Sequence, residues 1–348
     1  MSVTIRDVAK RLKLSITTVS RALDGYDDVA EETRERVIRV TREMGYMPSQ
    51  AARELRRKRS DAIGYILPTS NPRFADPFFS EFVAGLGDEV TSHNLDLLVS
   101  TAPPGTEAER AIYERWVQSR RVDGIVLSRM RQHDWRAEYL AQRQFPFVAL
   151  GRALTPHDFP YIEVDSRSGF AQLVSHLVER GHRRIAYVGA SPELMLEADR
   201  RAGYRDGLEA AGLAFDEALV VEGNLTRVGG YQAAQRLLAL PQRPTAIIGA
   251  NDLTAIGVMR AAHEGGLVVG RDLAVAGYDG IEDAEHTHPP LTTLNQPVYD
   301  LARRLTGMLL QVIAGAPLAE RHVLLQPELL VRGSTGEGHF PSRPPDEA

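Results

Sequence analysis

The sequence contains no cysteine and only three lysines, Lys10, Lys13 and Lys58, among its 348 residues. The absence of cysteine excludes disulfide bonds and sensing through a thiol. No run of 18 apolar residues occurs, so the sequence predicts no membrane-spanning helix. Because no secretory signal precedes Thr4 either, we expect the protein to act in the cytoplasm.

Motifs of common enzyme classes are also missing. No Gly-x-Gly-x-x-Gly follows a strand pattern, and neither a Walker-type phosphate loop nor a Gly-x-Ser-x-Gly elbow occurs. His286 and His288 stand close together, but without cysteine or a second cluster we expect no metal site and no cofactor. A sugar-processing enzyme stays as an alternative, because carboxylates suited to glycoside hydrolysis occur in any acidic protein.

The N-terminus carries two short helical patterns. Apolar residues recur at helical spacing over residues 5–12, with Thr4 as the N-cap and Asp7 placed to bond the amide of the cap. After a short turn, Ser15 is suited to cap a second helix. The inward side chains of this helix are Val19, Ala22 and Leu23, and the outward ones are Ile16, Thr17, Ser20 and Arg21.

A third helix is predicted over residues 29–44, because two helices this short bury too little surface by themselves. Three helices with a tight turn between the first two form a helix-turn-helix, whose second helix enters the major groove of DNA. An ordinary helical subdomain fits the periodicity equally well. Charge favours the DNA-binding interpretation: residues 1–60 carry 14 Lys and Arg against 9 Asp and Glu, a net charge of +5, whereas the remaining 288 residues carry −10.

From Asp61 onward, short apolar runs alternate twice over with amphipathic stretches. This order predicts two α/β lobes with parallel sheets and a ligand cleft at the carboxyl ends of their strands. Side chains that follow the strand patterns are therefore candidates for the cleft: Asp76, Phe78, Gly151, Arg152, Asn251, Asp252, Asp279 and Gln296. Asn251 also fits a helix cap, and Asp279 also fits a turn carboxylate before Gly280.

Several long strings occur in a characteristic order: TIRDVAKRLKLSITTVSRALDG, GHRRIAYVG, ANDLTAIGVMRAAHEGGLVVGRDLAVAGYDG and PPLTTLNQP. With the segments between them, they resemble the lac-repressor (LacI/GalR) family of bacterial transcription regulators. The resemblance implies a two-lobed, periplasmic-binding-protein-like body behind an all-α helix-turn-helix domain, with the chain crossing between lobes near residues 161 and 292. The implied domains are residues 1–47 (helix-turn-helix), 48–60 (hinge helix), 61–161 with 293–322 (N-terminal lobe), 162–292 with 323–333 (C-terminal lobe) and 334–348 (a disordered tail).

For DNA recognition, the resemblance places Ile16 and Thr17 at the main base-discriminating positions and Arg21 at a third, where an arginine can bond O6 and N7 of guanine. Thr18 and Ser20 suit phosphate contacts. In the hinge, Leu55 matches an apolar wedge that opens a base step in the minor groove; a solvated basic linker is the alternative for this segment. The predicted contacts to operator DNA are Thr4, Ser15, Ile16, Thr17, Thr18, Ser20, Arg21, Arg53, Leu55 and Arg56.

Three positions depart from the pattern of the family. Asp24 stands where asparagine is usual, and Ala30 replaces the serine that usually caps the third helix. Gly151 stands in place of a common acidic acceptor for hydroxyl groups, so Arg152 is expected to contact the ligand instead.

For the effector, the resemblance matches Arg200, Asn251 and Asp279 to positions that hold sugar hydroxyls and places Phe78 in a loop over the ligand. Asp76, Arg152 and Gln296 complete the predicted site. The implied function is a homodimeric repressor of transcription that an inducing sugar releases from its operator. The segments TSNPRFADPFF and DPFFSEFVAGLGDE are most similar to a branch that senses α-glucosides. A co-repressed regulator of another ligand class is the alternative.

Overall fold

The computed structural model of this protein describes residues 3–46, 59–69 and 76–336, which fall into two compact units, residues 1–60 and 61–348. The described part of the first unit is built from α1 (Ile5–Leu12), α2 (Ile16–Leu23) and α3 (Glu31–Glu43). The amide of Thr4 donates to Asp7 Oδ2 at 2.9 Å, and the amide of Thr18 donates to Ser15 Oγ at 2.9 Å. The predicted caps of α1 and α2 are therefore confirmed.

The core of this first unit contains one valine from each helix, Val8, Val19 and Val37, all fully buried. Ser20 departs from the prediction: it was expected to face outward, but it is only 6% exposed. Its hydroxyl donates to Asp24 Oδ2 at 3.3 Å, because a short polar side chain in the last turn of α2 reaches the carboxylate that follows the helix.

The second unit contains two six-stranded sheets. In chain order the strands are β1 (Ala62–Pro68), β2 (Asp96–Ala102), β3 (Gly124–Leu127), β4 (Phe147–Leu150), β5 (Tyr161–Val164), β6 (Ile185–Gly189), β7 (Val220–Glu222), β8 (Ala246–Gly249), β9 (Ala274–Asp279), β10 (Thr292–Asn295), β11 (His322–Leu325) and β12 (Glu328–Leu330). The first sheet has the order β2-β1-β3-β4-β5-β11, and the second has the order β7-β6-β8-β9-β10-β12. All neighbouring strands are parallel except the pair β10 and β12.

Helices connect most of the consecutive strands, as is usual for parallel pairing. They are α4 (Pro77–Ser92), α5 (Glu107–Ser119), α6 (Trp135–Gln142), α7 (Ser166–Glu179), α8 (Met195–Ala210), α9 (Arg227–Leu238), α10 (Asp252–Glu264) and α11 (Val298–Ala314), with short 3₁₀ turns at Glu217–Leu219, Glu282–Ala284 and Gly333–Thr335. The predicted architecture of two parallel-sheet lobes behind a helical N-terminus is confirmed. None of the helices in the described ranges combines the length and apolar character needed to cross a membrane.

The chain passes from one sheet to the other after β5, after β10 and after β11. Each crossing lies about three residues beyond the predicted boundary, because a strand belongs to one sheet over its whole length. The predicted disordered tail also begins too early. Ser334 and Thr335 are fully buried, and Ser334 Oγ donates to the carbonyl oxygen of Val275 at 2.6 Å.

One close approach between helices positions the site. Gly203 on α8 lies against α7, and a Cβ atom at this residue would come within 2.1 Å of the carbonyl oxygen of Arg167. Glycine is therefore required for this packing. The contact positions α8, which carries Asp199 and Arg200 one turn before Gly203.

Candidate functional site

A cavity of about 90 Å³ lies between the two sheets, and residues that follow the carboxyl ends of their strands contribute to its wall. Five of the seven predicted effector residues line it: Phe78, Arg200, Asn251, Asp279 and Gln296. Seven further polar residues, aromatic residues and methionines of the wall were not predicted from the sequence: Arg129, Met130, Glu163, Ser166, Met195, Asp199 and Tyr278. Arg129 and Met130 come just after β3 and could have been found by the same rule as the others.

Asp279 ends β9 and reaches the cavity with only 7% of its surface exposed. The side-chain amide of Gln296 donates to Asp279 Oδ1 at 2.7 Å. The backbone of Asp279 has φ of 126°, a region that favours glycine and stores strain at functional sites. The side chain of Asp279 thus accepts a hydrogen bond from Gln296, which follows the neighbouring strand. It therefore does more than stabilise the local turn before Gly280, the alternative role given above.

Asp252 holds the turn that follows Asp279. Its Oδ2 accepts hydrogen bonds from the amides of Gly280 at 2.8 Å and Ile281 at 3.0 Å. Its Oδ1 accepts from the hydroxyl of Thr293 at 2.6 Å. Since Asp252 is fully buried, these three bonds satisfy a carboxyl that has no access to water, and they position the backbone that carries Asp279.

Both buried carboxyls have raised proton affinities. Burial raises the pKa of Asp279 to about 8, with the nearby charge of Arg200 acting in the opposite direction. Burial likewise raises the pKa of Asp252 to about 6, although its hydrogen bonds from Thr293, Ile281 and Gly280 lower it. Near neutral pH, Asp279 is therefore a neutral carboxyl that can both donate and accept a hydrogen bond.

We expect the pKa of Asp279 to make stability depend on pH. The folded state keeps this proton up to about pH 8, whereas the unfolded chain releases it near pH 4. As the pH rises between these limits, the free energy of unfolding of the natural protein should therefore fall, relative to that of Asp279→Asn, by up to about 1.4 kcal/mol per pH unit. Urea unfolding at several pH values between 5 and 8 would measure it.

The control for this experiment is Asp206→Asn. Its hydrogen bond from Arg167 lowers the pKa of Asp206, so that carboxylate stays ionised throughout the range. Parallel pH profiles for the natural protein and Asp279→Asn would contradict the assignment of a raised pKa to Asp279.

Arg200 is a cation buried in the wall, with 5% of its surface exposed. Its Nη1 donates to the carbonyl oxygen of Ala250 at 2.7 Å, and its guanidinium lies 4.1 Å from the ring centroid of Tyr278. Its Nε has no hydrogen-bond partner among the residues that the structure describes. A buried donor of this kind is costly unless an acceptor reaches it, and it lines the same cavity as Asp279.

Asn251 has a structural role in addition to its place in the wall. It is the N-cap of α10, and its Oδ1 accepts from the amide of Thr254 at 3.0 Å and from the hydroxyl of that residue at 2.7 Å. The capping interpretation is therefore confirmed. Its amide nitrogen lies 3.4 Å from the carbonyl oxygen of Leu225, which also lines the cavity.

Asp76 is paired with a cation. Its Oδ1 caps α4 through the amide of Phe78, and its Oδ2 accepts from Arg129 Nη2 at 3.0 Å. Burial raises the pKa of Asp76, and the charge of Arg129 opposes this. The pair thus offsets the positive charge that Arg129 brings to the cavity, while Phe78 supplies an aromatic surface stacked on Phe82 with centroids 6.0 Å apart.

Arg152 connects the two lobes. It follows β4 in the first lobe and donates two hydrogen bonds, of 3.1 and 2.6 Å, to the carboxylate of Asp199 on α8 of the second lobe. Its Nε lies 3.6 Å from Glu163 Oε2. Burial raises the pKa of Glu163 to about 7, although the charge of Arg152 lowers it. The structure thus directs Arg152 to a carboxylate of the opposite lobe.

We expect Arg152→Gln to weaken effector binding by up to about tenfold, because a partly buried bidentate pair across the cleft favours the lobe arrangement seen here. Arg167→Gln is the matched control, since Arg167 makes a similar two-bond pair with Asp206 within the second lobe. Isothermal titration calorimetry with the effector measures both variants. Equal effects of the two substitutions would refute a specific role for the pair between lobes.

The predicted DNA-contacting residues of the first unit lie on α2 and at its N-cap, except Thr4, which is the N-cap of α1. Thr4, Ser15, Thr17 and Arg21 are exposed, and Ile16 exposes 45% of its surface, which is high for a large apolar side chain. Thr18 is half-buried, and its hydroxyl lies 2.8 Å from Ser15 Oγ. Ser20 is buried, as noted above. The hinge residues Arg53, Leu55 and Arg56 lie outside the described residues.

Comparisons with known proteins agree with this architecture. Residues 4–49 match the model of bacterial regulatory proteins of the lacI family, and residues 174–335 match a periplasmic binding protein-like domain. The HTH-type transcriptional regulator AglR of Rhizobium meliloti (strain 1021) is 35% identical, over 99% of this chain and 97% of its own length.

Two solved structures extend the comparison. A complex of the transcriptional regulator CelR with cellobiose is 32% identical and has a TM-score of 0.74, over 95% of this chain and 99% of that one. The lac repressor dimer bound to operator and the anti-inducer ONPF is 29% identical and has a TM-score of 0.84, over 97% and 100%. With such coverage by transcriptional regulators, this chain belongs to the lacI family of bacterial regulatory proteins.

Proposed function

We propose that this protein is a homodimeric repressor that binds a pseudo-palindromic operator and is released by a sugar bound between its two lobes. Binding of a sugar effector is supported above all by the buried guanidinium of Arg200. Its Nε has no hydrogen-bond partner among the described residues, and Arg200 lines the same cavity as Asp279. A ligand hydroxyl can accept from the first group and exchange hydrogen bonds with the second.

The charges around the cavity favour a neutral ligand. Arg129 is paired with Asp76, and Asp199 is paired with Arg152. The raised pKa of Asp279, about 8, leaves it neutral near pH 7, and the pKa of Glu163 is raised to about 7. A cation would be buried beside Arg129 and Arg200, whereas a neutral polyol can exchange hydrogen bonds with the Arg200 guanidinium and the Asp279 carboxyl without bringing further charge into the cavity.

The lining of the cavity fits a sugar. Phe78, Leu150 and Leu196 supply apolar surface against which the faces of a sugar ring can pack. We propose an α-glucoside in particular, on the resemblance of the first-lobe segments; the cellobiose bound by the related CelR supports a disaccharide of glucose as a second choice.

For DNA binding, we propose that Ile16, Thr17 and Arg21 contact base edges while Thr4, Ser15 and Thr18 contact phosphates. Residues 48–60 would act as the hinge, with Leu55 in the minor groove and Arg53 and Arg56 on phosphates. A twofold dimer reads a twofold site, as in the related lac repressor dimer bound to operator. The protein would do this in the cytoplasm, where operator DNA is found.

The two sites are coupled through the lobes in the proposed mechanism. A sugar that binds one lobe arrangement more tightly than another changes the distance between the two hinges of the dimer, and the affinity for operator falls. Linkage then requires operator DNA to weaken sugar binding by the same factor. A co-repressor would act with the opposite sign, so the sign of the coupling separates the two modes.

The test is fluorescence anisotropy of a labelled promoter fragment from the protein's own genomic neighbourhood, titrated with full-length protein at fixed salt concentration. Maltose, trehalose, sucrose, cellobiose, glucose and a purine are then added in turn. Release by one sugar is the expected result. Tighter binding with a ligand would establish co-repression, and a lack of sequence-dependent binding in every condition would overturn the proposal.

A further inference from the structure

Arg21 is already engaged by an acidic side chain of its own unit. Its Nη1 lies 2.8 Å from Asp28 Oδ2, and its guanidinium lies 5.4 Å from the ring centroid of Tyr26. Asp28 and Tyr26 belong to the loop between α2 and α3. The cation that is proposed to read a base therefore has two contacts that restrict its direction before any DNA is bound.

The loop holds Asp28 in this place through its backbone. The amide of Tyr26 donates to the carbonyl oxygen of Arg21 at 3.1 Å, and Arg34 Nη2 donates to the carbonyl oxygen of Tyr26 at 2.8 Å. Val29, the next residue after Asp28, is 8% exposed and belongs to the core of the helical unit. The backbone around Asp28 is thus held by the hydrogen bonds of Tyr26 on one side and by the buried Val29 on the other.

This ion pair contributes little to folding. The side chains of Arg21 and Asp28 are 49% and 51% exposed, and pairs at such exposure stabilise proteins only weakly. The geometry of the Arg21–Asp28 pair bears instead on how Arg21 can contact a base. Asp28 occupies one corner of the guanidinium, at Nη1, and leaves the edge formed by Nη2 and Nε for another acceptor. A guanine needs two parallel donors, which this edge provides.

We propose that Asp28 is a positioning residue for base recognition: it orients Arg21 so that the edge formed by Nη2 and Nε faces a guanine, and it offsets the charge that would otherwise draw Arg21 to a phosphate. The inference rests on the proposed operator binding. It assigns a role in specificity to an acidic residue in a basic module, where a carboxylate near DNA otherwise only lowers affinity.

The test uses full-length protein and a randomised duplex library, followed by titration of the enriched duplex and its single-base variants. The variants are Arg21→Ala, Asp28→Asn and the matched control Asp27→Asn, which removes the same charge from an exposed neighbour in the same loop. Arg21→Ala identifies the base pair that Arg21 reads. Thermal unfolding of each variant checks that the helical unit stays folded.

Asp28→Asn should reduce the preference for guanine at that base pair by about tenfold, within the roughly 5- to 150-fold worth of a bidentate contact. It should also raise affinity for unrelated DNA and steepen the salt dependence by about one counterion. Asp27→Asn should raise affinity for all sequences alike and leave the preference unchanged.

Equal behaviour of Asp28→Asn and Asp27→Asn would overturn the inference while leaving the proposed operator binding intact. Enrichment of no sequence by the natural protein would overturn both. An intact preference for guanine in Asp28→Asn, at a base pair where Arg21→Ala loses it, would show that Arg21 finds its base without help from Asp28.

Discussion

Replacing Arg200 with alanine is expected to weaken effector binding by about 10- to 150-fold, while the affinity for operator DNA without effector stays unchanged. The guanidinium is buried, and it has one donor bonded to the carbonyl oxygen of Ala250 and another, Nε, without a partner in the described residues. One hydrogen bond from a buried cation to a ligand is worth about 1.5–3 kcal/mol, which corresponds to a factor of this order. Calorimetry with the releasing sugar, and anisotropy with operator DNA, measure the two affinities.

Two further variants make this result interpretable. Arg201→Ala changes the adjacent residue, whose side chain is partly exposed and paired with Glu217 at 2.6 Å, and should bind effector normally. Arg200→Lys keeps the charge but lacks the planar set of donors, so its affinity should lie between those of the natural protein and Arg200→Ala. If Arg200→Ala still bound the sugar with natural affinity and remained folded, the sugar site would not be in this cavity.

Asp252→Ala should be the most destabilising of the substitutions considered, by about 3 kcal/mol in the free energy of unfolding. It leaves two buried donors, the amide of Ile281 and the hydroxyl of Thr293, and the partly buried amide of Gly280 without their acceptor, and each buried loss costs about 1–3 kcal/mol before relaxation. Because the same bonds hold the turn after Asp279, effector affinity should fall as well. Urea unfolding and calorimetry measure the two effects.

Asp300→Ala is the comparison for this substitution, since Asp300 is an exposed acidic residue in the first turn of α11 and should not change stability measurably. Asp252→Asn keeps one acceptor oxygen and should fall between the other two. If Asp252→Ala were fully stable and bound effector normally, the turn after β9 would keep its conformation without the hydrogen bonds to Asp252.

The sequence alone determined the features that depend on local patterns. Caps at Thr4 and Ser15 and helical spacing of apolar residues specified α1 and α2, because both act within a few residues along the chain. The alternation of apolar and amphipathic stretches predicted two parallel-sheet lobes. The rule that ligands bind beyond the carboxyl ends of parallel strands then found Phe78, Gly151, Asn251, Asp279 and Gln296 of the cavity wall. Arg200, on a helix, was assigned only through the resemblance to the family.

Only the tertiary structure decided which side chains from distant segments meet. Arg152 follows a strand and was expected to contact a ligand, but Asp199 approaches from a helix of the other lobe and accepts hydrogen bonds from its Nη1 and Nη2. Glu163 lies within a strand and Asp199 within a helix, so position after a strand gave no signal for either. The antiparallel pairing of β12 with β10 could not be predicted either. Pairing between strands far apart in the chain depends on contacts that periodicity does not encode.

The burial of Ser20 and the pairing of Arg21 likewise depend on contacts between separate segments, here within the small helical unit. Periodicity placed both residues on the outer side of α2, but the loop after the helix brings Asp24 to one and Asp28 to the other. Local patterns decide which residues form a helix and which face it buries. The charges and hydrogen bonds that give a side chain its chemistry come from whatever the fold places beside it, because these interactions act through space over a few ångströms and not along the chain.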